Sequence, residues 1–185
     1  MLPLLIRFGW DLDVTSRYDT DKTVLHRAAS RGDIAAIILL LDHGASVEGA
    51  RKNGNNIVRE TSLMVANEAT TTRLLLSRGA KVDARDRFGK TALFRAKTFE
   101  IASLLVEHGA DVNVRDNNGD TPLTEHCKYS LHGRLDPVSL LLDNGADVRR
   151  LPPDEWFLAP LHAATIHLAT DLVIRLLPGG APPDC

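Results

Sequence analysis

The chain has 185 residues, 44% of them hydrophobic and 25% charged, with a formal net charge of −2, the balance of an ordinary soluble globular domain. That charge, without a run of five or more like charges, supplies no drive toward nucleic acid, and no apolar run approaches the roughly 20 residues of a membrane-spanning helix. The two cysteines, Cys127 and Cys185, make neither a disulfide framework nor a CxxC pair, which points to a reducing intracellular compartment, cytoplasmic or nuclear.

In chain order, the first element is Leu4-Leu5-Ile6-Arg7-Phe8-Gly9. Its apolar stretch is too short for a signal peptide and lacks a small-residue cleavage site. The same Leu-rich phrase with a closing glycine returns as Leu39-Leu40-Leu41 before Gly44-Ala45, Leu74-Leu75-Leu76 before Gly79-Ala80, Leu104-Leu105-Val106 before Gly109-Ala110, Leu140-Leu141-Leu142 before Gly145-Ala146, and Leu176-Leu177 before Gly180-Ala181. From Gly9 onward the glycines step by 35, 35, 30, 36 and 35 residues, so the opening stretch is the second helix of a half repeat. Upstream of each Gly-Ala stands a second phrase: Thr23-Val24-Leu25-His26, Thr61-Ser62-Leu63-Met64, Thr91-Ala92-Leu93-Phe94, Thr121-Pro122-Leu123-Thr124 and Ala159-Pro160-Leu161-His162. Thr suits a helix N-cap, Pro the first helical position, and Gly the left-handed residue that ends a helix. Leu and Ala at helical spacing give a narrow apolar face, and Asp-x-x-Gly ahead of Thr91 and Thr121 supplies turn chemistry. Each unit is thus a helix pair with a projecting turn, and it must stack on its neighbours to bury that face.

These phrases resemble the ankyrin repeat, whose pattern is T-P-L-H-x-A, a glycine turn, a Leu-rich helix and G-A-D-V-N. Asp116-Asn117-Asn118-Gly119-Asp120-Thr121-Pro122-Leu123 and Gly109-Ala110-Asp111-Val112-Asn113 follow it almost letter for letter. The resemblance implies one all-α solenoid over 1–185: a half repeat at 1–16, then repeats at 17–50, 51–84, 85–114, 115–150 and 151–185. Either the end units act as caps, or the chain belongs to a longer array.

The copies depart from pattern in places. Ala28 to Gly44 and Ala164 to Gly180 span 16 positions, but Ala66 to Gly79 and Ala96 to Gly109 span 13, close to one helical turn less. Repeats two and three should therefore have stubby first helices, with Thr70 and Thr98 capping the second, and a notch in the first-helix face. Asp136-Pro137 reads as the N-cap and first position of the second helix of repeat four. Asn55 to Glu60 reads as an inserted loop.

No catalytic residue or cofactor is expected. No G-x-S-x-G, P-loop or H-E-x-x-H phrase is present. His26 and His162 sit in the helix-start phrase, where the resemblance implies a structural hydrogen bond; His43 and His108 sit at helix C-termini, favourable for an imidazole. His126, Cys127 and His132 have ligand chemistry but no second ligand pair, so Cys127 reads as a small core residue and no metal site is expected.

The resemblance implies a cupped hand, with turn tips as fingers and first helices as palm, that binds a protein partner. Expected contacts are Arg85, Arg87, Phe88 and Lys90 on one finger and Arg115, Asn117, Asn118 and Asp120 on the next, Arg and aromatics being common at interface hot spots. Trp156 and Phe157, behind Pro152-Pro153, make either an exposed partner anchor or a plug folded onto repeat four. The whole reads as a non-catalytic scaffold or adaptor, or as the recognition segment of a larger regulatory protein such as a ubiquitin-ligase subunit, channel or kinase.

Overall fold

A computed structural model describes residues 11–15, 22–49, 60–129 and 136–147. Among them the chain forms α1 (Val24–Arg31), α2 (Ile34–Asp42), α3 (Ser62–Val65), α4 (Ala69–Ser77), a 3-10 helix (Ala92–Arg95), α5 (Phe99–Glu107), α6 (Pro122–Tyr129) and α7 (Asp136–Asp143), and no strand. The first helices α1, α3, the 3-10 helix and α6 contact one another in turn, as do the second helices α2, α4, α5 and α7. The result is the expected two-layer solenoid. Its core lies between the layers, built on Leu25, Leu63, Leu93 and Leu123 from the first and on Ile37, Leu40, Leu75, Leu105 and Leu141 from the second. Thr71 and Thr72, poor helix formers by propensity, are also fully buried.

The helix starts follow one chemical rule. The residue three after the threonine returns a side chain to the threonine's backbone N–H: Nδ1 of His26 accepts from Thr23 at 3.1 Å, Sδ of Met64 from Thr61 at 3.4 Å, and Oγ1 of Thr124 from Thr121 at 3.4 Å. This reciprocal cap satisfies an amide that a helix leaves orphaned. Phe94 has no acceptor at that place. Thr91 Oγ1 is there buried without a partner, and the turn tightens into a 3-10 helix.

The second helices end alike. Gly44, Gly79, Gly109 and Gly145 take φ of 89°, 86°, 86° and 83°, in the left-handed region that only glycine enters freely. The alanine after each glycine then donates to a carbonyl five residues back, as Ala45 does to Leu40 at 3.0 Å.

The two short repeats do have first helices of four residues. Ala66 and Ala96 are extended and lead directly to α4 and α5. A polar chain spans the shortened edge: Asn67 Nδ2 donates to Ser30 O at 3.2 Å, and Lys97 Nζ to Asn67 Oδ1 at 2.8 Å. Thr98 caps α5, accepting from Ile101 N at 3.3 Å. Thr70 does not cap α4. The N-cap position falls on Glu68, the register equivalent of Thr98, and Thr70 lies inside the first turn. Helix α7 starts at Asp136 itself, one residue ahead of Pro137.

Neighbouring repeats are tied by two histidines, His26 buried and His126 half-buried, and by a ladder of charge. Nε2 of His26 donates to Glu60 O at 2.9 Å, and Nε2 of His126 is 2.9 Å from Leu93 O, each bond crossing to an adjacent repeat. At the position before the helix-start threonine the charge alternates by repeat: Lys22, Glu60, Lys90, Asp120. Four positions after the threonine, Arg95 and Glu125 keep the sign of their own repeat. The ion pairs therefore run between unlike neighbours: Lys22 with Glu60 at 3.8 Å, Glu60 with Arg95 at 2.9 Å, and Lys90 with Glu125 at 2.5 Å. Half-exposed pairs of this kind contribute little to stability. Their alternation penalises a repeat stacked out of order, because like charges would then meet.

Burial pushes the His26 imidazole below its ordinary value of 6.5, with the bond to Glu60 O opposing, and burial does the same to His126 against its bond to Leu93 O. In His26, Nδ1 already accepts from Thr23 N–H, so a second proton would set two donors face to face. Glu60 and Lys22 near His26, and Glu125 near His126, add opposing smaller effects. A depressed histidine pKa gives stability that is fully present above the unfolded value and is lost as pH falls through it toward the folded value. Unfolding free energy should therefore decline between pH 7 and about 5.5, above the range of ordinary carboxylates, by at most about 1.4 kcal/mol per pH unit for each histidine. Denaturant titrations of a His26→Gln/His126→Gln chain should show a shallower decline; an unchanged slope contradicts the assignment.

A candidate partner-binding surface at two adjacent turn tips

The tips of repeats three and four are the same turn built twice. In the first, the Asp86 carboxylate Oδ1 accepts from Phe88 N at 2.8 Å and Lys90 N at 2.9 Å, while Asp86 N donates to Lys90 O at 2.9 Å. In the second, Asp116 Oδ1 accepts from Asn118 N at 2.8 Å and Asp120 N at 3.0 Å, and Asp116 N donates to Asp120 O at 2.9 Å. Both aspartates are buried. Their other oxygens face cations from below: Arg95 Nη2 lies 2.9 Å from Asp86 Oδ2, and Lys90 Nζ 4.0 Å from Asp116 Oδ2.

The two tips are then joined to each other. Asn117 N donates to Phe88 O at 2.9 Å, and Asn117 Nδ2 to Arg87 O at 3.0 Å. Arg85 Nη2 donates to Arg115 O. Three bonds thus hold neighbouring loops together at their ends. Arg87 lies over the Phe88 ring, 4.5 Å from its centroid, and that ring is 48% exposed.

Of the residues expected from the sequence, Arg85, Arg87, Phe88, Arg115, Asn117 and Asn118 lie together on the exposed tips, with Asp120 half-buried beside them. Two have a different part in the architecture. Lys90 is half-buried and paired with Glu125, and Asn117 spends its backbone and side-chain N–H groups on the neighbouring tip. Trp156 and Phe157 lie outside the described residues. Sequence reasoning gave no sign of Asn117 as a clamp, because its partners are backbone carbonyls 29 and 30 residues away.

The residues with ligand chemistry are engaged otherwise. His126 Nε2 meets Leu93 O, Cys127 is 1% exposed, and His132 lies outside the described residues. Nδ1 of His43 is 2.8 Å from Leu39 O and that of His108 is 2.8 Å from Leu104 O, each binding the carbonyl one turn back. Among the described residues no group of three or more His, Cys, Asp or Glu is placed to hold a metal, and no helix is long and apolar enough to cross a membrane.

Burial raises the Cys127 thiol to about 12, so the nucleophilic thiolate is scarce at neutral pH. In a Cys185→Ser chain, Cys127 should resist alkylation while folded and react on unfolding in urea; fast labelling of the folded chain contradicts its burial. A second prediction concerns the clamp. Gly89 and Gly119 have φ of 78° and 85°, but a Cβ on Gly89 would come within 2.5 Å of Asn117 Oδ1, whereas one on Gly119 meets nothing within 4 Å. Gly119→Ala should cost only the left-handed strain of about 1–2 kcal/mol, and Gly89→Ala measurably more. Equal losses in chemical denaturation contradict the clamp.

A family model for ankyrin repeats in three copies matches residues 1–86 and 62–152. No match is found among curated proteins. Ankyrin repeats are in general protein–protein interaction modules, typically without catalysis. With its paired helices, its glycine-closed Leu-rich phrases and a family match over most of its length, the chain belongs to the ankyrin repeat family.

Proposed function

We propose that this chain is a non-catalytic scaffold or adaptor in an intracellular compartment, and that it holds a protein partner through the tips of repeats three and four and the first-helix face beneath them. The observation that carries this reading is the pre-set aromatic: Phe88 is half exposed, stacked by Arg87, on a loop fixed from inside by Asp86 and from the side by Asn117. A large apolar ring normally gains by burial, about 25 cal/mol for each Å² removed from water. Here it is kept outside on a turn that cannot readily fold over it. A surface already ordered loses little entropy on binding, and Arg and aromatics carry a large share of interface energy. The free thiol of Cys127 suits a reducing compartment.

The second helices supply a control. Phe99 is 42% exposed at the start of α5, in the layer away from the palm. A photo-crosslinking amino acid at position 88 should capture a discrete protein from cells, and one at position 99 should not. Capture from 99 with none from 88 contradicts the reading.

A further inference from the structure

Cations predominate among the exposed charges of the two tips. Arg85, Arg87 and Arg115 are exposed, and the bonds from Arg85 to Arg115 O and from Asn117 to Arg87 O put them on one patch. Asp83 and Asp111, ahead of the two turns, are exposed, but the acids within the turns do not offset the arginines at the surface. Asp86 and Asp116 are buried, each accepting two backbone N–H bonds, and Asp120 is half-buried. Lys90, the remaining cation, has its charge met by Glu125 below. The exposed tips thus carry Arg87 over the Phe88 ring, Arg115 on the neighbouring turn, and Arg85, which gives one guanidinium N–H to Arg115 O. Counted from the helix-start threonine, Arg17 stands six residues before Thr23, as Arg85 and Arg115 stand six before Thr91 and Thr121.

We propose that the partner element received by these tips is a linear acidic segment, rich in Asp or Glu and carrying an apolar side chain that covers Phe88. Guanidinium groups bind carboxylates through paired N–H donors, in a geometry that Lys cannot reproduce. The apolar side chain follows from the exposed ring, which gains only when water leaves it. A short acidic peptide touches the patch alone. A nucleic acid would extend past it onto a chain whose formal charge is −2, where the counterion release that drives such binding is missing.

This specificity rests on the tips being the partner surface, and the test separates the two. Random linear peptides displayed on phage are selected against the full chain, and the enriched pool is then offered to an Arg87→Ala/Phe88→Ala chain and to an Arg85→Ala/Arg115→Ala chain. Each variant is first checked by circular dichroism and melting for an unchanged fold. The expected pool is dominated by Asp and Glu around an apolar residue, and both variants lose it. Replacing one Glu of an enriched synthetic peptide by Gln should weaken binding by about tenfold, and raising salt should weaken it further. A neutral or basic pool that both variants lose overturns the acidic specificity and leaves the tips as the partner surface. A pool that both variants retain overturns the tips as well. No enrichment overturns a linear segment as the ligand, and oligothymidylate binding as tightly through the same arginines replaces it with a nucleic acid.

Discussion

Everything in this molecule depends on the fact that a single helix pair cannot bury its own apolar face. The first helices are only four to eight residues long, shorter than an isolated helix that would persist in water. What fixes them is the contact with the helix pairs on either side, and the chemistry of the chain is concentrated there. Leu25, Leu63, Leu93 and Leu123 recur at one depth between the layers, and His26 and His126 carry a side chain across to a neighbour's carbonyl. Because contacts are made to nearest neighbours, stability is distributed along the stack as a sum of local units and interfaces.

The exposed tips inherit their order from that stacking. Adjacent repeats in register set adjacent turns side by side, and the side-by-side placement lets Asn117 reach the carbonyls of Arg87 and Phe88. The ion pairs below serve the same end. Lys90 leaves one tip to meet Glu125 under the next, and Arg95 reaches both its own Asp86 and the preceding repeat's Glu60. An interaction surface in this fold is made of parts from two repeats, and its geometry is a property of the interface between them rather than of either turn.

The architecture was legible in the sequence because its determinants are local. Thr at the helix start, Gly at the helix end and Leu between them each act within one or two turns of chain, and five copies of the same signal leave little room for another period. The short first helices of repeats two and three could be counted from Ala66 and Ala96 to the closing glycines. What could not be read depends on side chains meeting across repeats. Thr70 seemed a cap because it is a good capping residue, but the register set by Ala66 puts the cap at Glu68. Thr71 and Thr72 seemed poor helix formers, yet they are buried, and Thr72 Oγ1 returns its hydrogen bond to Glu68 O at 3.0 Å. That Arg85, Arg87, Phe88, Arg115, Asn117 and Asn118 stand on adjacent turns followed from the turn phrases alone. The division of labour within it, with Asn117 and Lys90 holding while Arg87 and Phe88 project, required knowing what each atom touches.

Residue-resolved amide hydrogen exchange of the free chain tests this account most directly, at the N–H of Asn117. That group sits at an exposed turn and by position alone would exchange at the rate of an open loop. Bonded to Phe88 O across the two tips, it should be protected to about the same degree as the turn amides of Lys90 and Asp120, and Gly89→Ala should abolish that protection. Open-loop exchange at Asn117 in the unaltered chain, with the helices of repeats three and four still protected, would contradict the joined, pre-ordered tips on which the proposed binding surface depends.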